Sequence, residues 1–259
     1  MKDKIKDILK QLEVQHECRI ILAVESGSRA WGFASPDSDY DVRVVYVKPL
    51  ELYLGLEEKL ADTWSAMLPD DIDVSAWDLR KALRQLLKSN AAFLEWLGSP
   101  IVYRDDGLLK RLSATSAACV NPVRLAYHYA SMFHHAMDDS SEDGMIGVKK
   151  LCYALRANLC VQWVLEHGTM PPTQFADVCA GINLQDSQQR SIERLLALKA
   201  TANEKDRIQP ESDLMTLLMD HQATLASVKW PKTVQTCDPL KELESIFRSY
   251  VAPMPGIVV

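Results

Sequence analysis

The chain has 259 residues, of which 47% are hydrophobic and 25% are charged, a composition typical of a globular protein with a substantial core. Its formal net charge of −6 argues against an extended basic surface for tight, nonspecific duplex binding, although it allows a small basic groove. No run approaches the roughly 20 apolar residues of a membrane span, and the charged N-terminus lacks the apolar region of a secretory signal. We therefore expect no membrane association and a cytoplasmic location.

The six cysteines form no C-x-x-C pair, and most of them lie in apolar surroundings. This pattern predicts reduced, buried thiols rather than a zinc site or disulfides. The cysteines are Cys18, Cys119, Cys152, Cys160, Cys179 and Cys237.

The first half of the chain alternates predicted helices and strands. Apolar residues at helical spacing predict an amphipathic helix from Ile5 to Leu12. Short apolar, β-branched runs predict strands, and Asp78 is predicted to cap a helix that follows the last of them. The predicted strands are 19–24, 41–47, 63–67 and 72–77, with helices at 79–90 and 91–97 and an extended segment at 99–103.

Strand signals vanish in the second half. Asn121-Pro122 predicts a helix start, because asparagine caps a helix and proline fits its first position. Gly168 and the following prolines predict the end of a long helix. The predicted helices are 122–137, 148–167, 173–180, 187–201, 211–228 and 239–251, with an acidic loop at 138–144. We interpret the chain as an α/β module over 1–115 and a helical module over 116–259.

Asp39 and Asp41 form the strongest chemical signal. Because they are two positions apart on an extended chain, their carboxylates point to the same face, where a cation would offset their repulsion. A lone D-x-D is often only a charged strand edge. Here Gly27-Ser28 precedes it, at a buried strand followed by a helix start, which favours a phosphate. Asp73 on another predicted strand adds a third carboxylate, so an all-oxygen Mg²⁺ site is indicated.

These segments resemble the polymerase-β nucleotidyltransferase superfamily, and in particular its branch of predicted nucleotidyltransferases linked to RNA repair pathways. The matching segments are Gly27-Ser28-Arg29-Ala30-Trp31-Gly32-Phe33, Ser38-Asp39-Tyr40-Asp41-Val42-Arg43, the stretch 73–83, Glu95-Trp96-Leu97 and the stretch 149–156. The resemblance reaches about residue 180. It implies an α+β fold, with a mixed sheet flanked by helices over 1–115 as the catalytic domain and an all-helical domain over 116–259.

The resemblance also implies roles for individual residues. Gly27 and Ser28 would hold the β- and γ-phosphates of the incoming nucleotide. Asp39 and Asp41 would ligate two Mg²⁺ ions, for which Mn²⁺ is a possible substitute. Asp73 would ligate the ion that activates the acceptor hydroxyl.

The long predicted helix carries a basic face. Lys149, Tyr153 and Arg156 recur at i, i+4 and i+7, so they share this face, and Lys150 borders it. One interpretation is a solvated basic face. The other, suggested by related two-domain enzymes, is that the helix closes over the cleft. Lys150 and Arg156 would then reach the triphosphate, and Tyr153 would stack or form a hydrogen bond. Arg29 and Arg43, which flank the aspartates, are either contacts to phosphate or acceptor or surface ion-pair partners.

The expected function is transfer of a nucleoside monophosphate from an NTP to an acceptor hydroxyl, with release of pyrophosphate. The family's link to RNA repair favours an RNA 3′ end as acceptor, with tRNA among the candidates. The alternatives are AMP transfer to a protein or small molecule, and a non-catalytic nucleotide sensor or toxin–antitoxin partner. His128, His134 and His135 are interpreted as structural or surface residues rather than a metal site.

Overall fold

The computed structural model describes residues 1–56, 61–137, 144–203, 206–227 and 239–252, with side chains described in the fourth range up to residue 219. The strands are β1 (Arg19–Glu25), β2 (Tyr40–Val47), β3 (Thr63–Leu68), β4 (Ile72–Asp78), β5 (Val102–Asp105), β6 (Ile146–Gly147) and β7 (Arg207–Ile208). The helices are α1 (Lys2–Gln15), α2 (Gly27–Trp31), α3 (Leu50–Tyr53), α4 (Leu79–Leu87), α5 (Ala91–Leu97), α6 (Leu108–Ala118), α7 (Pro122–Met137), α8 (Val148–His167), α9 (Phe175–Ala180), α10 (Asp186–Lys199), α11 (Ser212–Ser227) and α12 (Leu240–Val251).

The fold is α+β, and its main element is a five-stranded mixed sheet in the order β3-β4-β2-β1-β5. Strands β2 and β4 run parallel at its centre, and the other neighbouring pairs are antiparallel. The residues of β1 after Arg19 are all buried, as expected for an apolar strand covered on both faces. The predicted mixed sheet flanked by helices is confirmed.

The two faces of the sheet are covered by different elements. Helix α1 packs Ile5, Leu9 and Leu12 on one face, against Val42 and Val44 of β2 among others. Buried residues on the opposite face of the sheet belong to a second core cluster, which they form together with helices α4–α8 and the helices that follow. Because side chains alternate along a strand, Asp41 and Arg43 lie on this second face, ahead of the buried Val45. The helices of the second half therefore cover the face that carries the candidate site.

Capping residues set several helix boundaries as predicted. The side chain of Asp78 accepts a hydrogen bond from the backbone N–H of Arg80, and Asn90 does the same for Phe93. Gly168 ends α8 in the left-handed conformation, with φ of 66°. The predicted bounds of α8, 148–167, agree with the structure, and Gly168 accounts for its end.

The structure differs from prediction in short or weakly patterned elements. The extended segment predicted at 99–103 is a strand at Val102–Asp105, and α3 and α6 were not predicted. The helical half contains a two-stranded ladder of β6 and β7, whose strands have two residues each and so carry no periodicity. Helix α12 packs back on α4 and α6. The division into domains at 115/116 stays a prediction. None of the described helices has the length and apolar character needed to cross a membrane.

Candidate active site

Two aspartates lie side by side on the central parallel strands. In the register of β2 with β4, Asp41 is directly opposite Asp73. Arg43, on the same face of β2, donates from Nη2 to Oδ1 of Asp41 at 2.7 Å and from Nη1 to Oδ2 of Asp73 at 2.9 Å. One guanidinium therefore pairs with both carboxylates, which shows that the two can share a single cation.

Asp41 is partly buried and surrounded by charges. Burial raises the pKa of its carboxyl, the nearby Asp73 and Asp39 add to this rise, and Arg43 and Lys149 oppose it. The other two predicted aspartates and one predicted lysine are thus within electrostatic reach of Asp41. Asp39 differs from the other two in being exposed, in the loop before β2.

The donor chemistry of this group fits Mg²⁺, since hard cations prefer carboxylate oxygens. Asp41 and Asp73, which share the Arg43 guanidinium, would be two of the ligands of such an ion. Within the described ranges, however, no three His, Cys, Asp or Glu side chains already converge as a metal site. Asp39 would be the third ligand, supplied from the loop before β2.

Gly27 packs directly against Asp41. Its φ of 58° lies in the left-handed region, and a Cβ at this position would lie 2.0 Å from Oδ2 of Asp41. The N–H of Ser26 donates to the backbone carbonyl of Asp41 at 2.9 Å, and Ser28 is buried beside them. The Gly27-Ser28 turn therefore borders the aspartates, as the motif predicted, and its binding of phosphate stays a prediction.

Arg29 holds the loop that leads to the aspartates. Its Nη2 donates to the carbonyl of Ser38 at 2.6 Å and its Nε to that of Asp39 at 3.0 Å. Its guanidinium also stacks 3.8 Å from the ring centre of Tyr40. Neither role predicted for Arg29 from the sequence, a phosphate contact or a surface ion pair, includes these hydrogen bonds to backbone carbonyls.

Glu25 binds the backbone of Asp41. It is fully buried at the end of β1, and its Oε1 accepts the backbone N–H of Asp41 at 2.6 Å. Its other carboxylate oxygen accepts the hydroxyl of Tyr103. Burial raises the pKa of Glu25, and the bonds from Tyr103 and Asp41 oppose the rise. The sequence feature that could have indicated this role is the position of Glu25, a carboxylate at the end of an apolar run and directly before Ser26-Gly27-Ser28.

The first turns of α8 face the aspartates. Lys149 is partly buried and its charge acts on Asp41, whereas Lys150 is exposed. The ring of Tyr153 lies edge-on to Trp31, with ring centres 5.1 Å apart. Burial raises the pKa of Tyr153, Lys149 opposes the rise, and Asp41 and Asp39 contribute to it. Lys149 and Tyr153 are therefore near the aspartates, as predicted for a helix that closes the cleft.

Arg156 does not reach this cleft. It is 1% exposed, its Nη1 donates to Oε1 of Glu95 at 2.9 Å, and its guanidinium lies 4.2 Å from the ring centre of Trp31. Trp31 Nε1 and the Tyr129 hydroxyl also donate to the Glu95 carboxylate. The structure thus corrects the expectation of a phosphate contact. Helical spacing put Arg156 on the Lys149 face, but about two turns further along the helix that face is buried against α5 and α7.

Among the residues that the structure describes, the histidines and cysteines form no second metal site. Burial lowers the pKa of His128, and Nδ1 of His135 lies 2.9 Å from the carbonyl of Ser131 on its own helix. The five cysteines within the described residues form no disulfide with one another, and Cys237 lies outside those residues, as does most of the predicted acidic loop.

Comparisons with known proteins identify the family of the chain. The family model of the RNA repair pathway DNA polymerase beta family, RlaP, matches residues 1–248. The chain is 39% identical over 207 residues to the uncharacterized protein YcgL from Bacillus subtilis (strain 168), covering 80% of this chain and 79% of that protein. A nucleotidyltransferase-like protein from Exiguobacterium sibiricum 255-15 aligns over 98% of this chain and 97% of its own, at 13% identity. The TM-score of 0.29 for that crystal structure is too low to support an argument.

The family match thus covers the sheet, the paired aspartates, the glycine that packs against them and the helices above. The chain belongs to the RNA repair pathway DNA polymerase beta family of nucleotidyltransferases.

Proposed function

We propose that the protein transfers a nucleoside monophosphate from an NTP to the 3′ hydroxyl of an RNA, with Mg²⁺ and with release of pyrophosphate. The observation that carries this proposal is the pairing of Asp41 with Asp73 across parallel strands, with Gly27 packed against Asp41. A cation site and a backbone turn suited to phosphate are then in contact, and phosphoryl transfer requires little else from a protein.

The chain offers positive charge for the triphosphate on both sides of the cleft. The Gly27-Ser28 turn supplies backbone N–H groups at the end of β1. Opposite it, the N-terminus of the 20-residue α8 has no side-chain cap and carries Lys149 and Lys150 in its first turn. A helix N-terminus favours anions, and the two lysines add to this preference. Tyr153 and Trp31 would form the wall between the two.

The proposed reaction exchanges one phosphate ester bond for another. The acceptor hydroxyl oxygen bonds to the α-phosphorus, the bond to the bridging oxygen breaks, and its electron pair leaves with pyrophosphate. The hydroxyl proton passes to solvent. Mg²⁺ held by Asp39, Asp41 and Asp73 would supply charge neutralisation and a more acidic acceptor hydroxyl. Glu25 holds the backbone of Asp41, and Arg43 pairs with the carboxylates.

An RNA end rather than a long duplex fits the charge of the chain. With a net charge of −6, the protein lacks the basic excess that binds nucleic acid along its length. An RNA terminus needs to contact only the cleft. The family's description, which names an RNA repair pathway, supports an RNA acceptor.

The test is to incubate the protein with each α-labelled NTP, Mg²⁺ and total cellular RNA or lysate, and to locate the label. We expect label on RNA and release of pyrophosphate. Label on a protein band or on a small molecule would show that the acceptor is that molecule and not RNA. NTP binding without label on any acceptor would refute the catalytic function and favour a nucleotide sensor.

Substitutions at the aspartates test the mechanism in the same assay. Asp41→Asn and Asp73→Asn should leave the chain folded but reduce transfer by roughly a hundredfold or more, because the cation site loses a charged ligand. Asp7→Asn is the matched control, since Asp7 is an exposed aspartate that pairs only with Lys10, at 2.8 Å. Full activity in Asp41→Asn would contradict the mechanism.

A further inference from the structure

Lys199 is a buried cation that the proposed mechanism does not use. It is the last residue of α10 and is 6% exposed. Its Nζ donates to Oγ of Ser35 at 2.6 Å. In the part of the chain that the structure describes, it forms no ion pair with a carboxylate, although its charge acts on the exposed Asp37.

Burial of an ammonium against a neutral hydroxyl is costly, because the charge loses its hydration while the nearby carboxylate, Asp37, stays exposed and is joined to it only through Ser35. A methionine or leucine at the end of α10 would fill the same space without this cost. The presence of lysine therefore calls for a role that depends on its hydrogen bond. The partner, Ser35, identifies the segment on which that bond acts.

Ser35 begins the turn that leads to Asp39. Its N–H donates to Oγ of Ser38 at 2.9 Å, its carbonyl accepts the N–H of Ser38 at 3.0 Å, and the two hydroxyls lie 3.0 Å apart. From the other side, Arg29 binds the carbonyls of Ser38 and Asp39. Lys199 and Arg29 together hold this four-residue turn between the helical half and α2.

We infer that Lys199 is a positioning residue: through Ser35 it fixes the 35–38 turn and so the place of Asp39, which makes assembly of the metal site depend on α10. The inference rests on the proposed function for the role of Asp39. It follows from the geometry, because Asp39 is the exposed member of the three aspartates and reaches Asp41 and Asp73 only through its loop. A substitution at Lys199 should therefore act on metal binding more than on nucleotide binding.

The first test is hydrogen exchange of the full chain followed by mass spectrometry. Lys199→Met should speed exchange of the Ser35 and Ser38 amides by roughly 10-fold or more, the effect of losing a hydrogen bond from a charged group. Lys199→Arg should restore part of the protection. Peptides of β1 should be unchanged, and so should the whole chain in the control Lys110→Met, which alters an exposed lysine. Equal acceleration in β1 would show a general loss of stability and overturn the inference.

The second test measures metal binding directly, with Mn²⁺ as the probe and electron paramagnetic resonance as the readout. We expect Lys199→Met to weaken Mn²⁺ binding by roughly 10-fold. In the transfer assay, the metal concentration for half-maximal rate should rise while KM for NTP stays constant. Ser35→Ala should act in the same direction, and the double variant should be no worse than Lys199→Met alone, because both remove one interaction.

Unchanged Mn²⁺ binding and unchanged exchange at Ser35 and Ser38 in both single variants would refute the inference. The outcome is separable from that of the proposed function. If the wild-type protein transfers no nucleotide, the exchange and Mn²⁺ measurements still decide whether Lys199 positions the turn.

Discussion

Substitution of Gly27 by alanine tests the contact between the glycine turn and Asp41. Two costs are expected. The first is the left-handed backbone, which disfavours a residue with a Cβ by about 1–2 kcal/mol. The second is steric: real Cβ atoms do not come within 3.0 Å of such an atom, whereas Oδ2 of Asp41 would lie at 2.0 Å, so the carboxylate must move by about 1 Å.

That displacement should affect activity far more than stability. The Asp41 side chain can rotate, so the folded chain accommodates the new methyl group. A shift of about 1 Å in a positioned catalytic group costs roughly a hundredfold in rate, or about 2.7 kcal/mol of transition-state free energy. We expect kcat/KM for nucleotide transfer to fall by roughly that factor, with Mn²⁺ binding weakened in parallel.

Gly32→Ala is the matched control. Gly32 also has a left-handed φ, of 88°, but a Cβ there would meet nothing within 4 Å. Both variants should therefore lose about 1–2 kcal/mol of unfolding free energy in urea, and only Gly27→Ala should lose activity. If kcat/KM of Gly27→Ala stayed within about threefold of Gly32→Ala, the position of the Asp41 carboxylate would not matter and the proposed site would be wrong.

Three further predictions concern other parts of the structure. Arg156→Met should destabilise the chain by about 3–5 kcal/mol in urea unfolding, because Glu95 would remain buried without its charged partner. Lys149→Met should raise KM for NTP by roughly tenfold without a comparable loss of stability, because it removes a charge proposed to face the triphosphate. Burial raises the pKa of Asp78, so the native state binds a proton more tightly than the unfolded state and loses stability as pH rises from about 4 through the native pKa. Asp78→Asn should show a smaller loss across this range, measured as urea midpoints from pH 4 to 7.

Each of these three predictions has a contradicting result. Arg156→Met with wild-type stability would mean that Glu95 finds another partner. A Lys149→Met variant with unchanged KM would remove α8 from the nucleotide site. Parallel pH profiles for Asp78→Asn and wild type would show that the Asp78 carboxyl titrates alike in the folded and unfolded chains.

Local sequence signals predicted much of the secondary structure. The apolar run before Glu25 predicted β1, and Gly168 predicted the end of α8, because each signal acts within a few residues. The missed elements lack such signals. Strands β6 and β7 are too short to show periodicity, and α6 buries only Leu108 and Leu112. For the site, the D-x-D pattern and Asp73 on a later strand predicted carboxylates from neighbouring strands, and the register of β2 with β4 places Asp41 opposite Asp73.

Positions on helix α8 show the limit of periodicity. Spacing correctly placed Lys149, Tyr153 and Arg156 on one helix face, but it carries no information on what covers that face at each turn. The first turn meets the aspartates and the third meets Glu95, so residues of the same face have different surroundings.

The sequence by itself determined that an acidic pair follows a glycine turn and that a third aspartate starts a later strand, because these are local patterns of residue type and spacing. Only the tertiary structure decided that Asp41 and Asp73 share Arg43, that Glu25 holds the backbone of Asp41, and that Lys199 holds the turn before Asp39. Those contacts join residues from 2 to 164 positions apart, and their distances depend on strand register and helix packing, which no local pattern encodes.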